Sequence, residues 1–162
     1  MSGAKDGSVC ISQIAESQLK KTDTFDISEE VVKCVRWNSI DHNLFGVTGN
    51  DMLVKIVDKR QKKDVISIAK LHQNVINSIR WHPADEHILV TCSFDTKIQM
   101  CDIRKPNAPL HTLTGWCDPK VVKHSSIFHP LFTQNGKALA INGEKSQHLT
   151  LFDTKTATIV RV

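Results

Sequence analysis

Residues 74 to 106 read NVINSIRWHPADEHILVTCSFDTKIQMCDIRKP, and this stretch decides the fold. Val75 to Trp81 alternate in character and stop at His82-Pro83, where proline cannot continue a ladder. Ile88 to Cys92 form a second apolar run, closed by Ser93-Phe94-Asp95-Thr96, and Lys97 to Cys101 form a third, closed by Asp102-Ile103-Arg104-Lys105-Pro106. Three strands this short cannot bury both faces alone, so the pattern demands stacking on similar units.

Such a unit lies 44 residues upstream in strict register: Val35 answers to Ile79, Trp37 to Trp81, Asp51 to Asp95, Val54 to Ile98, Asp58 to Asp102 and Arg60 to Arg104. A looser copy follows. Ile127-Phe128-His129-Pro130 answers to Arg80-Trp81-His82-Pro83 at an offset of 47, and Leu149, Phe152 and Asp153 answer to Ile98, Cys101 and Asp102 at an offset of 51. The chain is a repeat protein.

Strand, strand, Asp turn, strand and Asp-x-Arg at this period resemble the WD-repeat family, whose units are four-stranded propeller blades. The matching residues are Gly49-Asn50-Asp51 through Asp58-Lys59-Arg60, and Cys92-Ser93-Phe94-Asp95 through Asp102-Ile103-Arg104. The resemblance implies an all-β arc of about three four-stranded blades, part of a larger propeller. It divides the chain into an N-terminal arm with a strand of an incomplete blade (1–27), a first repeat (28–71), a second with a loop insertion (72–120) and a degenerate third (121–162).

The family's blade is tied together by a His, a Ser or Thr, an Asp and a Trp. The resemblance gives His72, Asp51 and Asp95 these structural roles, with Thr91 or Ser93 as the hydroxyl of the second blade. The Trp-Asp signature is Val57-Asp58, Cys101-Asp102 and Phe152-Asp153 here, and Ser146 stands where the third blade's turn Asp belongs. Weaker tethering within each blade is the expectation.

Within blade one the strands are expected at Val31–Trp37, Leu44–Thr48, Leu53–Val57 and Val65–Ile68, with a last strand at Pro109–Leu113 in blade two. Blade three is expected to open within Val121 to His129 and to continue through Ala138–Ile141 and Leu149–Phe152. Upstream, Val9 to Ile14 read as a strand or a loose arm, and Thr24 to Ile27 as a further strand.

Composition excludes several classes. A net charge of +4 permits an acidic partner without requiring one. The five cysteines include no Cys-x-x-Cys pair, and the eight histidines are scattered at turns without metal-ligand spacing. Neither a Gly-x-Ser-x-Gly elbow nor a phosphate loop is present, so no catalytic residue, cofactor, metal or small-molecule substrate is expected. No signal peptide or transmembrane run appears, and an intracellular place, nuclear or cytoplasmic, with no membrane partner, is the expectation.

Partner contacts are expected at Asn50, Phe94 and Trp116 on one face; Trp116, in a Gly- and Pro-bounded loop, is either an anchor or a cap on its own blade. On the opposite face the Asp-x-Arg pairs, Asp58 with Arg60 and Asp102 with Arg104, match a short pattern by which substrate receptors of cullin-type ubiquitin ligases dock their adaptor; the plainer reading is bonding within the blade. Lys59, Lys62 and Lys63 form a basic patch, read as a solvated turn, a phosphate or acidic-peptide contact, or a nuclear import signal. The run from Leu44 to Arg104 resembles histone-binding WD-repeat chaperones, and extended to Phe152 it also resembles damaged-DNA-binding receptors. Other proteins in a multiprotein complex are the expected partners, with histone or nucleic acid among the candidates.

Overall fold

The structure, a computed structural model, describes residues 1–61, 63–68, 71–120, 127–143 and 148–161. Four antiparallel sheets follow one another along the chain. The first has three strands, β1 (Ser2–Gly3), β2 (Ser8–Ala15) and β3 (Gln18–Asp26). Blade one contains β4 (Val32–Trp37), β5 (Leu44–Gly49), β6 (Val54–Asp58) and β7 (Lys63–Ile68). Blade two contains β8 (Ile76–Trp81), β9 (Ile88–Ser93), β10 (Ile98–Asp102) and β11 (His111–Leu113). Blade three contains β12 (Leu131–Thr133), β13 (Ala138–Asn142), β14 (Leu149–Asp153) and β15 (Ile159–Arg161).

Period-two alternation explains why the sheets stack. In blade one Phe45, Val47 and Val57 point to the N-terminal sheet, where they pack with Val9, Phe25 and Ile27. Their neighbours Val54 and Ile56 point the other way, to Ile76, Ile79, Trp81 and Leu89 of blade two. Blade two repeats the device, sending Val90, Cys92, Ile98 and Met100 to Leu139, Ile141 and Phe152 of blade three. Blades one and two are therefore apolar on both faces, and each inter-sheet layer removes large aliphatic and aromatic groups from water at roughly 25 cal/mol per Å². The architecture is all-β, an arc of propeller blades.

The sequence reading leaves one element open, and another differs from it. The N-terminal stretch is a long hairpin closing at Glu16 and Ser17, both with positive φ, and Val9 and Phe25 are buried in its base. The strand alternative for Val9 to Ile14 is the one observed, extended to Ala15. In blade three, residues 127–130 form no strand, and the strand paired with β13 is Leu131–Thr133, after the His129-Pro130 dipeptide. Proline's missing N–H sets the strand's start there. The earlier part of the expected strand, Val121 to Ser126, and Ser146 lie outside the described residues.

The far face of blade three carries Leu131, Ala140 and Leu151 in one cross-strand row. Leu131 and Leu149 are exposed there, and among the described residues no further sheet packs on this face.

Candidate functional site: the two ends of the blades

Antiparallel pairing puts the β5–β6, β9–β10 and β7–β8 connections at one end of the arc and the β6–β7 and β10–β11 connections at the other. At the first end His72 is buried and bonded on both ring nitrogens: Nδ1 lies 3.0 Å from Asp95 Oδ2, and Nε2 lies 2.8 Å from Thr91 Oγ1. A carboxylate only accepts, so Nδ1–H is the donor to Asp95, and Nε2 and the Thr91 hydroxyl share the second hydrogen bond. Asp95 also accepts the backbone N–H groups of Gln73 and Lys97, each at 3.0 Å. Burial pushes its carboxyl up, but the His72 bond and charge and the two N–H bonds outweigh that and hold it below the usual carboxylate value. Thr91 is thus the hydroxyl of the set, while Ser93 instead donates to the Asn74 carbonyl at 3.0 Å.

Blade one builds the same corner from other residues. Ser28, 44 positions before His72, donates to Asp51 at 2.8 Å. Lys55 pairs with Asp51 at 3.0 Å and donates to the Ile27 carbonyl at 2.6 Å; Gln99, its equivalent, donates to the Leu71 carbonyl at 3.0 Å. Met52 and Thr96, also equivalent, both take positive φ, 60° and 64°, just past the turn Asp. A threonine there is unusual, and the Asp95 bonds around the turn hold it.

Asn50 and Phe94 occupy equivalent places at this end, each donating its backbone N–H across the corner, Asn50 to Val31 at 3.0 Å and Phe94 to Val75 at 3.2 Å. Both are half-buried, and the Asn50 Oδ1 is buried with no partner among the described residues. Trp116 differs from the anchor reading. It is only 3% exposed, its ring set edge-on to Phe128 at 4.8 Å between centroids, in the layer shared with blade three rather than on its own blade alone. The reason is local: Gly115, at φ +82°, turns the chain so that the indole falls into the layer between blades two and three.

At the opposite end, the two Asp-x-Arg pairs superpose in detail. Asp58 Oδ1 accepts the Arg60 backbone N–H at 2.9 Å, and Asp102 does the same for Arg104 at 2.9 Å. Each arginine then folds back, its Nε and Nη2 gripping the same carboxylate. The aspartates are buried, whereas the arginine side chains are 61% and 58% exposed. The arginine bond is the chief cause holding both carboxyls below their usual value, against an opposing effect of burial. Among the described residues neither Nη1 has an acceptor. The plainer reading, bonding within the blade, accounts for one edge of each fork, and the other edge faces outward. Blade three keeps the turn with Asp153 accepting the Lys155 N–H at 2.9 Å, but carries Lys155 where the other blades have the arginine.

Of the basic patch, Lys59 sits with its Nζ 5.7 Å from the Trp37 ring centroid, a cation–π contact. Lys62 lies outside the described residues, and Lys63 is described only by its place at the start of β7. Lys59, Lys63 and Arg60 share one end of the blade, away from Asn50 and Phe94.

Sequence reasoning missed a second set of basic residues on the innermost strands. Arg36 on β4 and Arg80 on β8 are equivalents at the 44-residue offset, and the repeat register alone could have found them. Trp81 donates from Nε1 to the Arg36 carbonyl at 3.1 Å, which fixes the two strands side by side.

No family model matches the chain. Similar curated proteins are a WD-40 repeat-containing protein MSI3 of Arabidopsis thaliana, 28% identical over 118 residues, and a histone acetyltransferase type B subunit 2 of Candida albicans, 30% identical over 118 residues. These matches cover 70% and 71% of this chain, which spans only 28% and 30% of the relatives' length. A ribosome biogenesis protein WDR12 homolog of Nematostella vectensis is 33% identical over 82 residues, covering 49% of this chain and 20% of its own.

Proposed function

This chain is a WD-repeat propeller arc, and from that premise we propose that it works as a non-enzymatic platform holding other proteins within a multiprotein complex. The observation that carries the reading is the burial of the His72–Asp95–Thr91 set. Its bond order is that of a hydrolase triad, yet the Thr91 hydroxyl is fully buried and no substrate carbonyl could reach it. The set braces the blade, and the outward groups at the two ends are left for recognition. Asn50 and Phe94 serve one end, and Arg60 and Arg104 the other.

Histone is the protein partner the relatives suggest, since one is named as a histone acetyltransferase subunit and the chain matches nearly a third of it. A nuclear or cytoplasmic place follows from that reading. The direct test is calorimetric titration of purified core histones into the protein. Saturable binding lost in an Asn50→Ala/Phe94→Ala variant supports the reading, and no heat with any histone sinks it.

The paired guanidinium forks favour one alternative, docking of a ubiquitin-ligase adaptor on the other end, with chromatin or damaged DNA as the cargo. Two planar donors, one blade apart, suit carboxylates or carbonyls of a protein surface. A salt titration separates the cargo types: phosphate-driven binding weakens steeply with salt, and a protein interface weakens less.

A further inference from the structure

The N-terminal hairpin reaches further than its counterpart in blade one. Val9 pairs with Phe25 as Val54 pairs with Ile68, and both hairpins shift register at the same place, Ile11/Ser12 and Ile56/Val57. This register sets Gln13 and Lys20 level with Asp58 and Lys63, the last pair of the blade-one hairpin. Two further pairs, Ile14 with Leu19 and Ala15 with Gln18, carry the N-terminal hairpin roughly 7 Å past that level. Ile14 and Leu19 are 78% and 75% exposed, the highest values among the described large hydrophobic residues. Ile14 lies an odd number of positions from Val9 and Ile11, which pack on blade one, so the pair points away from that blade. Lys20 and Lys21 follow on the same finger, both exposed.

The β2–β3 turn corresponds to the β6–β7 turn, so the finger stands at the end of the arc that carries the arginine forks. A cleft of about 200 Å³ opens at that same end between blades two and three. Ile88, Met100 and Leu110 give it an apolar lining, with Asp85 and Lys155 as its charged members. Leu110 is 41% exposed, and Glu86 stands exposed beside Asp85. The volume falls below the roughly 300 to 1,000 Å³ of small-molecule sites and suits a few side chains instead. Blades one and two separate the finger from this cleft, so a chain cannot fill its own.

Finger and cleft are complementary in chemistry. The apolar tip matches the apolar lining, Lys20 and Lys21 match Asp85 and Glu86, and Glu16 at the turn matches Lys155. Because both features lie at one end, a two-fold axis lying across that end sets each finger on the other copy's cleft, and the pair is closed and isologous. We propose that this end is a self-association surface, on which two copies join with the Ile14–Leu19 finger of each seated in the other's cleft. The end bearing Asn50 and Phe94 stays free on both copies, so the dimer offers two recognition ends that face opposite ways.

Sedimentation equilibrium of the chain tests this, and the wild type should reach twice the mass of one copy. Ile14→Ser/Leu19→Ser and, separately, Leu110→Glu should each weaken the dimer by about tenfold or more. All three side chains are exposed, so both variants should keep the wild-type circular dichroism. Contact itself is read by mixing Leu19→Cys chains with Leu110→Cys chains, each also carrying Cys10→Ser. Mild oxidation should link the two kinds of chain by a disulfide and should link neither kind to itself. A wild type still monomeric at roughly 100 μM overturns the proposal. So does a dimer that both the finger and the cleft variants leave intact, or a mixture that forms no cross-link. A dimer lost only in Leu131→Ser/Leu149→Ser would put the contact on the open face of blade three and would overturn it as well.

Discussion

His72 and Asp95, 23 positions apart, meet at 3.0 Å across the corner where one blade hands over to its own second turn, and this contact closes the blade that has lost its tryptophan. Cys101 occupies that tryptophan's place, buried against Trp81 and Leu89. Trp81, from the innermost strand, already fills the layer a signature tryptophan would crowd. The His–Asp contact is therefore the chief polar tie left in blade two. His72→Ala should cost about 3 kcal/mol, because it leaves the buried Asp95 carboxylate with only its two backbone N–H bonds and removes the ring from the Thr91 hydroxyl. Urea unfolding of the variant checks the figure.

The same contact sets an acid limit. The folded carboxyl of Asp95 lies below its unfolded value near the ordinary 3.8, so its contribution is complete above that value and is lost as pH falls through the lower folded one. Asp51, Asp58 and Asp102 shift in the same direction and add to the loss. Thermal melts should decline gently below about pH 6.5, where the depressed His129 imidazole lets the unfolded chain bind a proton first, and fall steeply below about pH 4. Asp95→Asn should be destabilised at pH 7 and should show a shallower acid limb.

The Asp-x-Arg pairs should divide by residue. The aspartate oxygens satisfy a turn N–H and are buried, so Asp58→Ala or Asp102→Ala should cost about 1 to 2 kcal/mol in denaturant titrations. The arginines are mostly exposed, and Arg60→Ala/Arg104→Ala should melt close to the wild type. Affinity capture with that folded double variant then reads partner docking without a stability artefact. Loss of the captured adaptor supports docking at these forks, whereas a large fall in melting temperature would make the arginines blade braces alone.

Thiol chemistry should report the layers. Cys34, Cys92 and Cys101 are buried and free. Burial pushes the Cys101 thiol up to about 12, and Cys92 higher still. Cys117 is half-buried and pushed up to about 11, chiefly by burial, leaving Cys10 on the N-terminal sheet as the accessible thiol. Brief alkylation at pH 8 followed by peptide mass spectrometry should label Cys10 first and Cys117 slowly. The other three should react only in denaturant. Early labelling of Cys101 would show that blades one and two part in solution.

Much of this was legible because the repeat is strict. An offset of 44 carries Asp58-x-Arg60 onto Asp102-x-Arg104 and, applied further, carries Ser28 onto His72 and Arg36 onto Arg80. Strand spans in blades one and two follow from alternation and from turn residues that proline and aspartate enforce. Blade three was less legible, since its offset drifts from 47 to 51 and no register fixes which side of His129-Pro130 holds the strand. Trp116 was illegible for another reason. A loop tryptophan has no period, and whether it points outward or into a layer depends on Phe128 from the next blade, which local sequence does not announce.

Gly46 gives the sharpest test of how the blades meet. It faces blade two, where a Cβ at its position would lie 2.4 Å from Ile79 Cδ1 and 3.6 Å from Trp81 Cζ2. The missing side chain thus makes room for Ile79 and Trp81, both buried in the layer between the blades. Gly46→Val should wedge the layer open at a cost of about 2 kcal/mol. Ile79→Ala should leave a cavity and cost about 3 kcal/mol. In the double variant the added methyls occupy the vacated space, so the loss should fall short of the sum by more than about 1 kcal/mol. Strict additivity in urea unfolding would mean that these two positions do not touch, and that blades one and two pack differently from the arrangement described.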